Sequence, residues 1–331
     1  MSGSAEEILA LLRDWDAATD PSPLMIETSG STGRPKRVVL SRDAMRASAL
    51  ATHARLGGPG KWVLNLPPTY VAGVQVLYRS VVARTEPVIL GDRPLAEIDY
   101  DYISLVPTQL VRMLRDDPPD GGDTTLARAR AVLIGGGPLD PRVRAGAEQR
   151  GVRIVQTYGM SETCGGCVYD GAPLDGVEVR IDDGQVLVRG PMLFERYDGE
   201  PERTAAALEG GWFHTDDLGH VDESGRLHID GRGDDVIISG GVKVPARAVA
   251  TALMTEGSAV EVVGVPDEEW GERVVAVVEA HDPPTLAGLR DLVEPRSWAP
   301  RQLVVVDQMP MLDNGKPDRL ALRDLAVAQW R

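Results

Sequence analysis

The stretch IETSGSTGRPKRVVLS, Ile26 to Ser41, sets four hydroxyl residues (Thr28, Ser29, Ser31 and Thr32) around Gly30 and follows them with Gly33, Pro35 and Lys36. Free backbone N–H groups, hydroxyls and an ammonium all donate to phosphate oxygens, so the composition reads as a polyphosphate-binding loop. The spacing is G-x-x-G-x-x-K with proline directly before the lysine, which is not the G-x-x-x-x-G-K-[ST] loop. A flexible Gly/Ser linker is the competing reading. Against it, Ser41 and Asp43 are start signals for an apolar-periodic segment that follows at once, so the loop is anchored at its end.

Downstream of that loop, KWVLNL, PVIL, YISLV, AVLIG and VRIVQ are short apolar runs of strand type. Helical patterns separate them at Val74–Arg84, Pro107–Arg115 and Pro141–Arg150. Strands alternating with helices predict βαβ units and a largely parallel sheet. After Tyr169 the texture changes: VEVRIDDGQVLVRG reads as a hairpin around Asp183–Gly184, and HVDESGRLHIDGR repeats the pattern around Ser224–Gly225. A second change follows the charged, glycine-bracketed GRGDD at Gly231–Asp235. Strand patterns at Val236–Ile238, Val260–Val265 and Arg273–Glu279 then mix with helix patterns near Pro245–Met254 and Leu286–Val293, the size of a small α+β domain. The expectation is an α/β chain with a large N-terminal domain, 1–233, and a small C-terminal domain, 234–331.

A length of 331 residues is consistent with about two domains. No run of about 18 apolar residues suggests a membrane span. The opening MSGSAEEILALLRDW is too acidic to be a secretory signal, which predicts a cytoplasmic protein. With 50 acidic and 35 basic residues the net charge is −15, which argues against a nucleic-acid surface. Anionic ligands would need locally gathered cations. Only Lys36, Lys61, Lys243 and Lys316 are lysines, and the other 31 cations are arginines. Three of those lysines lie in glycine-containing motifs, where a compact point charge differs from a planar fork. Cys164 and Cys167 are too few for a zinc site and read as small buried thiols.

Five motifs in order, TSGSTGRPK, TYGMSET (Thr157–Thr163), GWFHTDDLG (Gly211–Gly219), GRGDDVIISGGVKV (Gly231–Val244) and DNGKPDR (Asp313–Arg319), resemble the signatures of the adenylate-forming superfamily of acyl-CoA synthetases, adenylation domains and luciferases. The resemblance implies that a carboxylate attacks the α-phosphate of ATP and that a thiol, usually that of CoA, captures the acyl-adenylate. It implies that Thr28, Ser29, Gly30, Ser31, Thr32, Gly33 and Lys36 wrap the β- and γ-phosphates. Nucleotidyl transfer needs positioning and charge neutralisation more than covalent help. Glu162 would hold Mg²⁺, a hard cation suited to carboxylate oxygen, and Tyr158, with Gly159 and Met160, would lie at the adenine. Asp217 would bind the ribose diol and Arg232 the nucleotide. Asp216 stands where glycine is common and reads as a turn residue outside the site. Asp234 matches the hinge. Lys316 would bridge substrate carboxylate and α-phosphate during adenylation, a placed cation acting electrostatically. Gly240 and Gly241 would line the pantetheine path.

Within that superfamily, PPTYVAGVQVLYRSV (Pro67–Val81), LIGGGPLD (Leu133–Asp140) and YGMSETCGGCVYDG resemble the short o-succinylbenzoate–CoA ligases of menaquinone biosynthesis. This implies o-succinylbenzoate as the acid, with Tyr70, Gly73, Gly135 and Gly136 at its pocket. Tyr70 replaces the usual histidine and Arg247 the usual glutamate. Only 27 residues precede Thr28, against well over a hundred in most members, which suggests an exposed edge and a homodimer. Another acyl- or aryl-CoA ligase, or an enzyme loading a carrier protein, would keep the same motifs.

Overall fold

In a computed structural model, which describes residues 1–28, 36–91, 93–116, 125–254, 259–280, 282–312 and 317–330, the expected apolar runs pair side by side. Their order is Val88–Ile89, Trp62–Leu64, Tyr102–Leu105, Ala131–Ile134 and Ile154–Met160, with every neighbouring pair parallel. Each run is too short and continuous to alternate because helices cover both faces of such a sheet. Every residue of Trp62–Leu64 and Ala131–Ile134 is buried. Two strands that the sequence did not announce extend the sheet. After a 3-10 turn at Ser161–Thr163 the chain returns antiparallel as Gly165–Tyr169, followed by Ala172–Pro173.

The helix Val71–Ala83 packs on Trp62–Leu64 and Gly165–Tyr169, and the helices Ala5–Ala17 and Arg42–Arg55 pack on it in turn. Ser41 caps Arg42–Arg55 as expected, its hydroxyl accepting from Ala44 N at 3.2 Å. Gly73 is required by sterics. A Cβ there would lie 2.1 Å from the Pro67 carbonyl oxygen. Cys164 and Cys167 are buried and unbridged, and burial pushes the Cys164 thiol up, which makes it inert.

Chain contacts divide the described residues into two compact units. One contains Met1–Arg180, Leu187–Thr215 and Val221–Leu227; the other contains Ile181–Val186, Asp216–His220 and His228–Arg331. A five-stranded sheet runs Glu178–Asp182, Gln185–Arg189, Trp212–Val221, Leu208–Glu209, with Leu227–Arg232 also beside Trp212–Val221. Both predicted hairpins are present in it, turning at Asp183–Gly184 and before Leu227.

The second unit is built on Val242–Pro245, Val236–Ser239, Gly271–Glu279 and Ala259–Asp267, antiparallel in that order, with Gln302–Val306 parallel to Gly271–Glu279. Alternation along the central strand serves two cores. Val274, Ala276 and Val278 face the helix Ala246–Leu253, while Val275 and Val277 face Leu322 and Ala326 of the helix Arg319–Ala328. Among the described residues no helix is long and apolar enough to cross a membrane.

His53 makes the first unit acid-sensitive. It is buried beside the buried Arg79, and burial together with that guanidinium pulls its imidazole down to about 4. An unfolded histidine takes a proton near 6.5. The unfolded chain therefore binds the extra proton first, and stability is lost as pH falls from about 6.5 toward 4. The loss amounts to about 3 kcal/mol. His53→Gln should flatten that slope. Urea midpoints of both proteins across pH 7 to 4.5 check it, and a constant difference between them would contradict it.

Candidate active site

In the first unit, Leu24–Thr28 and Lys36–Leu40 form an antiparallel pair whose last register partners are Thr28 and Lys36. The loop residues Ser29, Gly30, Ser31, Thr32 and Gly33 lie outside the described residues. A third short strand, Arg196–Tyr197, lies along Lys36–Leu40 with Tyr197 opposite Val38. That pairing sets the Lys36 ammonium 5.6 Å from the centre of the Tyr197 ring. The Tyr197 hydroxyl donates to Glu162 Oε1 at 2.9 Å, and Phe194 N donates to the Glu162 carbonyl at 2.8 Å.

Lys36 and Glu162, read from two distant motifs, are thus joined through one tyrosine. Glu162 is only 6% exposed, so its carboxylate is not a solvated surface group. A buried carboxylate needs donors or a cation. Tyr197 supplies one donor, and the acceptor capacity that remains suits a hard dication whose other ligands are phosphate oxygens and water. Among the described residues no group of three or more His, Cys, Asp or Glu could cage a metal by itself. The donor set therefore fits Mg²⁺ held jointly with a nucleotide.

Sequence reasoning missed Tyr197. The one available signal was the aromatic pair Phe194 and Tyr197 in a chain with only two phenylalanines.

Tyr158, Gly159 and Met160 end the strand Ile154–Met160, where the register shifts between Tyr158 and Gly159. Gly159 is compulsory, because a Cβ would stand 2.0 Å from the Gly165 carbonyl oxygen. Gly135 and Gly136 follow the strand Ala131–Ile134. Gly135 N donates to the Leu105 carbonyl at 3.1 Å, and a Cβ on Gly135 would lie 2.7 Å from Thr157 Oγ1. Gly136 adopts φ +81°, a left-handed conformation that glycine tolerates best. Tyr70 caps the helix Val71–Ala83 without a side-chain bond to it, and its ring is half-buried. Tyr70 and Gly135 follow the carboxyl ends of the parallel strands Trp62–Leu64 and Ala131–Ile134, and Tyr158 lies in the carboxyl-terminal part of Ile154–Met160, the end at which open α/β sheets bind ligands.

The second unit carries the remaining candidates. Asp217, in Trp212–Val221, is buried. Arg232, at the end of Leu227–Arg232, places Nη1 3.8 Å from Asp217 Oδ1 and Nη2 3.1 Å from Asp216 Oδ2. Asp216 corrects the sequence reading. It lies within a strand, not a turn, and its exposed carboxylate pairs with the arginine assigned to the nucleotide.

The backbone of Asp234 lies in the 3-10 turn Gly233–Asp235. Gly240 and Gly241 make the two-residue turn between Val236–Ser239 and Val242–Pro245, with φ +58° and +76°. Two positive φ values in a two-residue hairpin are those of a type I′ turn. Trp270 also crowds Gly240, whose Cβ would meet that ring at 2.7 Å. Lys316 lies outside the described residues.

Glu162→Gln keeps the side chain's shape and removes its charge. The Mg²⁺ concentration for half-maximal turnover should rise about tenfold or more, equivalent to at least one strong charge contact. Tyr197→Phe should shift the same midpoint in the same direction by less. Calorimetric titration of ATP with and without Mg²⁺ gives a second readout. If both variants kept the wild-type Mg²⁺ dependence, neither residue would serve the metal.

Two family models match the chain: the AMP-binding enzyme model over residues 13–197 and the AMP-binding enzyme C-terminal domain model over residues 252–316. The probable 2-succinylbenzoate–CoA ligase of Mycobacterium tuberculosis is 41% identical over 340 residues, covering 96% of this chain and 88% of that one. Among solved structures, o-succinylbenzoate CoA synthetase (MenE) from Bacillus subtilis with the acyl-adenylate intermediate OSB-AMP superposes with a TM-score of 0.79 at 27% identity, covering 91% of this chain and 68% of that one. The same enzyme with ATP and magnesium ion gives a TM-score of 0.79 at 27% identity, covering 91% and 69%. The fold, the motif order and these matches agree: the chain belongs to the AMP-binding enzyme family.

Proposed function

We propose that the protein is an ATP-dependent acid–thiol ligase that converts 2-succinylbenzoate to its CoA thioester, in menaquinone biosynthesis. The observation that carries this reading is the 41% identity to a probable 2-succinylbenzoate–CoA ligase across 96% of the chain.

In the first half-reaction a carboxylate oxygen of the acid attacks the α-phosphorus of ATP. The bond from that phosphorus to the bridging oxygen breaks, and pyrophosphate leaves. In the second, the sulfur of CoA attacks the acyl carbon, the thiol proton is released and AMP departs. The residues divide this work by charge. Lys36 and the loop from Thr28 to Gly33 hold the terminal phosphates. Glu162, held by Tyr197, binds Mg²⁺ with the nucleotide, and the ion supplies charge neutralisation when bound. Asp217 accepts from the ribose hydroxyls, and Arg232, oriented by Asp216, meets the nucleotide. Tyr158 covers the adenine. Tyr70, Gly73, Gly135 and Gly136 line the acid. Lys316 stabilises charge where carboxylate and α-phosphate meet, and Gly240 and Gly241 admit pantetheine.

In this reading the two halves of the reaction use the domain 234–331 in two positions, turning at Asp234, where a few backbone angles absorb the rotation. The enzyme would be cytoplasmic, and a second copy of the chain would be its macromolecular partner. An enzyme that loads a carrier protein, or that takes another acid, is separated by one experiment. ATP–pyrophosphate exchange is measured over a panel of carboxylic acids, followed by product analysis with CoA and with a phosphopantetheinyl carrier protein. Exchange with 2-succinylbenzoate and thioester formation on CoA support the reading. Transfer only to the carrier protein overturns it.

A further inference from the structure

Among the described residues two arginines are buried, and they are treated differently. Arg273, in the second unit, has Asp267 Oδ2 at 2.6 Å from Nη1. Arg79, on the helix Val71–Ala83 of the first unit, is 4% exposed, and no carboxylate is among the charges that act on it. A guanidinium keeps its proton in a protein, so Arg79 is a full charge in the interior. An interior charge calls for a counter-charge as well as hydrogen bonds.

The surroundings of Arg79 come from three elements. The Trp62 ring, on the strand Trp62–Leu64, lies 4.9 Å from the guanidinium carbon, centre to carbon. The Tyr169 hydroxyl, at the end of Gly165–Tyr169, accepts from Nη2 at 3.4 Å and also bonds Thr52 Oγ1 at 3.0 Å. Thr52 and the buried His53 come from the helix Arg42–Arg55, and the Arg79 charge bears on the His53 imidazole. An aromatic face and a hydroxyl are dipoles, which solvate a cation without balancing it.

Three nitrogens of this layer have no protein partner: Arg79 Nε, Trp62 Nε1 and His53 Nε2. The first two can only donate, and a neutral imidazole donates from Nε2 in one of its tautomers. Gln75, one helical turn before Arg79, directs its amide nitrogen to the Met45 carbonyl at 3.5 Å, and its Oε1 is also unbonded, so it does not serve the guanidinium. Buried donors are rarely left without an acceptor. Water accepts such bonds but brings no charge. An anion supplies the acceptor and the charge together.

We infer that the first unit binds a small monovalent inorganic anion of the chloride class in its interior. Arg79 Nε and Trp62 Nε1 donate to it, and His53 Nε2 completes the donor set. None of these residues has a part in the adenylation or thioester chemistry, so the site is structural. It ties the helix Val71–Ala83 to the strand Trp62–Leu64 and the helix Arg42–Arg55, and it makes stability depend on which anion is present, beyond ionic strength.

The test uses the full chain, with chloride exchanged for gluconate, too large for an interior site, at constant ionic strength. The thermal midpoint of the wild type should rise by about 3 °C or more for each tenfold increase in chloride, as mass action requires once the site fills. Arg79→Met removes the charge and should abolish the rise. Arg79→Lys keeps the charge, loses the Nε donor and should retain a weaker rise; it carries the test if Arg79→Met does not fold. Wild-type crystals grown in bromide should show an anomalous peak against Arg79 Nε and Trp62 Nε1. Equal midpoints in chloride and gluconate, or a rise as large in Arg79→Met as in the wild type, overturn the inference. Water density without an anomalous signal at Arg79 overturns it as well. A bromide peak without a chloride-dependent midpoint is binding at crystal concentration only and has the same consequence.

Discussion

2-Succinylbenzoate is expected to be activated about 10⁴-fold more efficiently, in kcat/KM, than benzoate, and straight-chain fatty acids should also be poor substrates. The physical reason is the asymmetry of polar recognition. A pocket built to bond the second carboxylate of the acid leaves its donors unpaired when a substrate lacks that group. Tyr70 is the residue to watch. It stands at the start of the helix Val71–Ala83, and its ring makes no capping bond to that helix. AMP release with ATP, Mg²⁺ and CoA across a panel of acids measures the ratio. Comparable efficiency with a simple aryl or fatty acid would remove 2-succinylbenzoate as the substrate and leave the family membership intact.

Lys316→Ala is expected to slow adenylation by about 10²–10³-fold, because it removes a cation that acts only while the carboxylate meets the α-phosphate. Conversion of supplied acyl-adenylate and CoA into thioester should survive. Gly241→Leu should do the reverse by blocking pantetheine. Gly241 has φ +76° and no atom within 4 Å of the position a Cβ would take, so leucine there would point into open space. Its left-handed backbone would cost about 1–2 kcal/mol of turn stability. Gly241→Asn tolerates that conformation with a small side chain and separates the backbone cost from the blockage. Single-turnover measurement of each half-reaction decides the matter. If Lys316→Ala and Gly241→Leu lost both halves equally, the small domain would not alternate between two working positions, and Asp234 would lose its role as the hinge.

Much of the fold was legible in the sequence because the cues were local. The runs KWVLNL, YISLV and AVLIG lie in a parallel sheet covered on both faces, and a continuous apolar run is what that environment demands. Asp183–Gly184 marked a hairpin because its backbone needs positive φ, which both residues adopt. The return strand Gly165–Tyr169 was not legible. Its two glycines, one cysteine, valine and tyrosine have no period that separates a strand from a loop, and its register is set by the bulge at Tyr158 and Gly159. Asp216 was misjudged for a similar reason. Two adjacent aspartates after a histidine and a threonine look like turn chemistry, and only the neighbouring strand brings Arg232 to 3.1 Å.

By itself the sequence determined the class of chemistry. Small donors, glycines and a lone lysine in an arginine-rich chain must be contiguous to surround phosphate, and contiguity is what a one-dimensional string records. The tertiary structure decided which partners meet the charged groups outside that loop. Tyr197 reaches Glu162 across 35 residues, and Arg319 must cross from the last helix to Asp235 and Glu261. Such partners are chosen by which strands lie side by side and which carboxylates lose water there. A buried charge is satisfied by whatever donor the fold brings near, and no local pattern around either residue carries the address of the other.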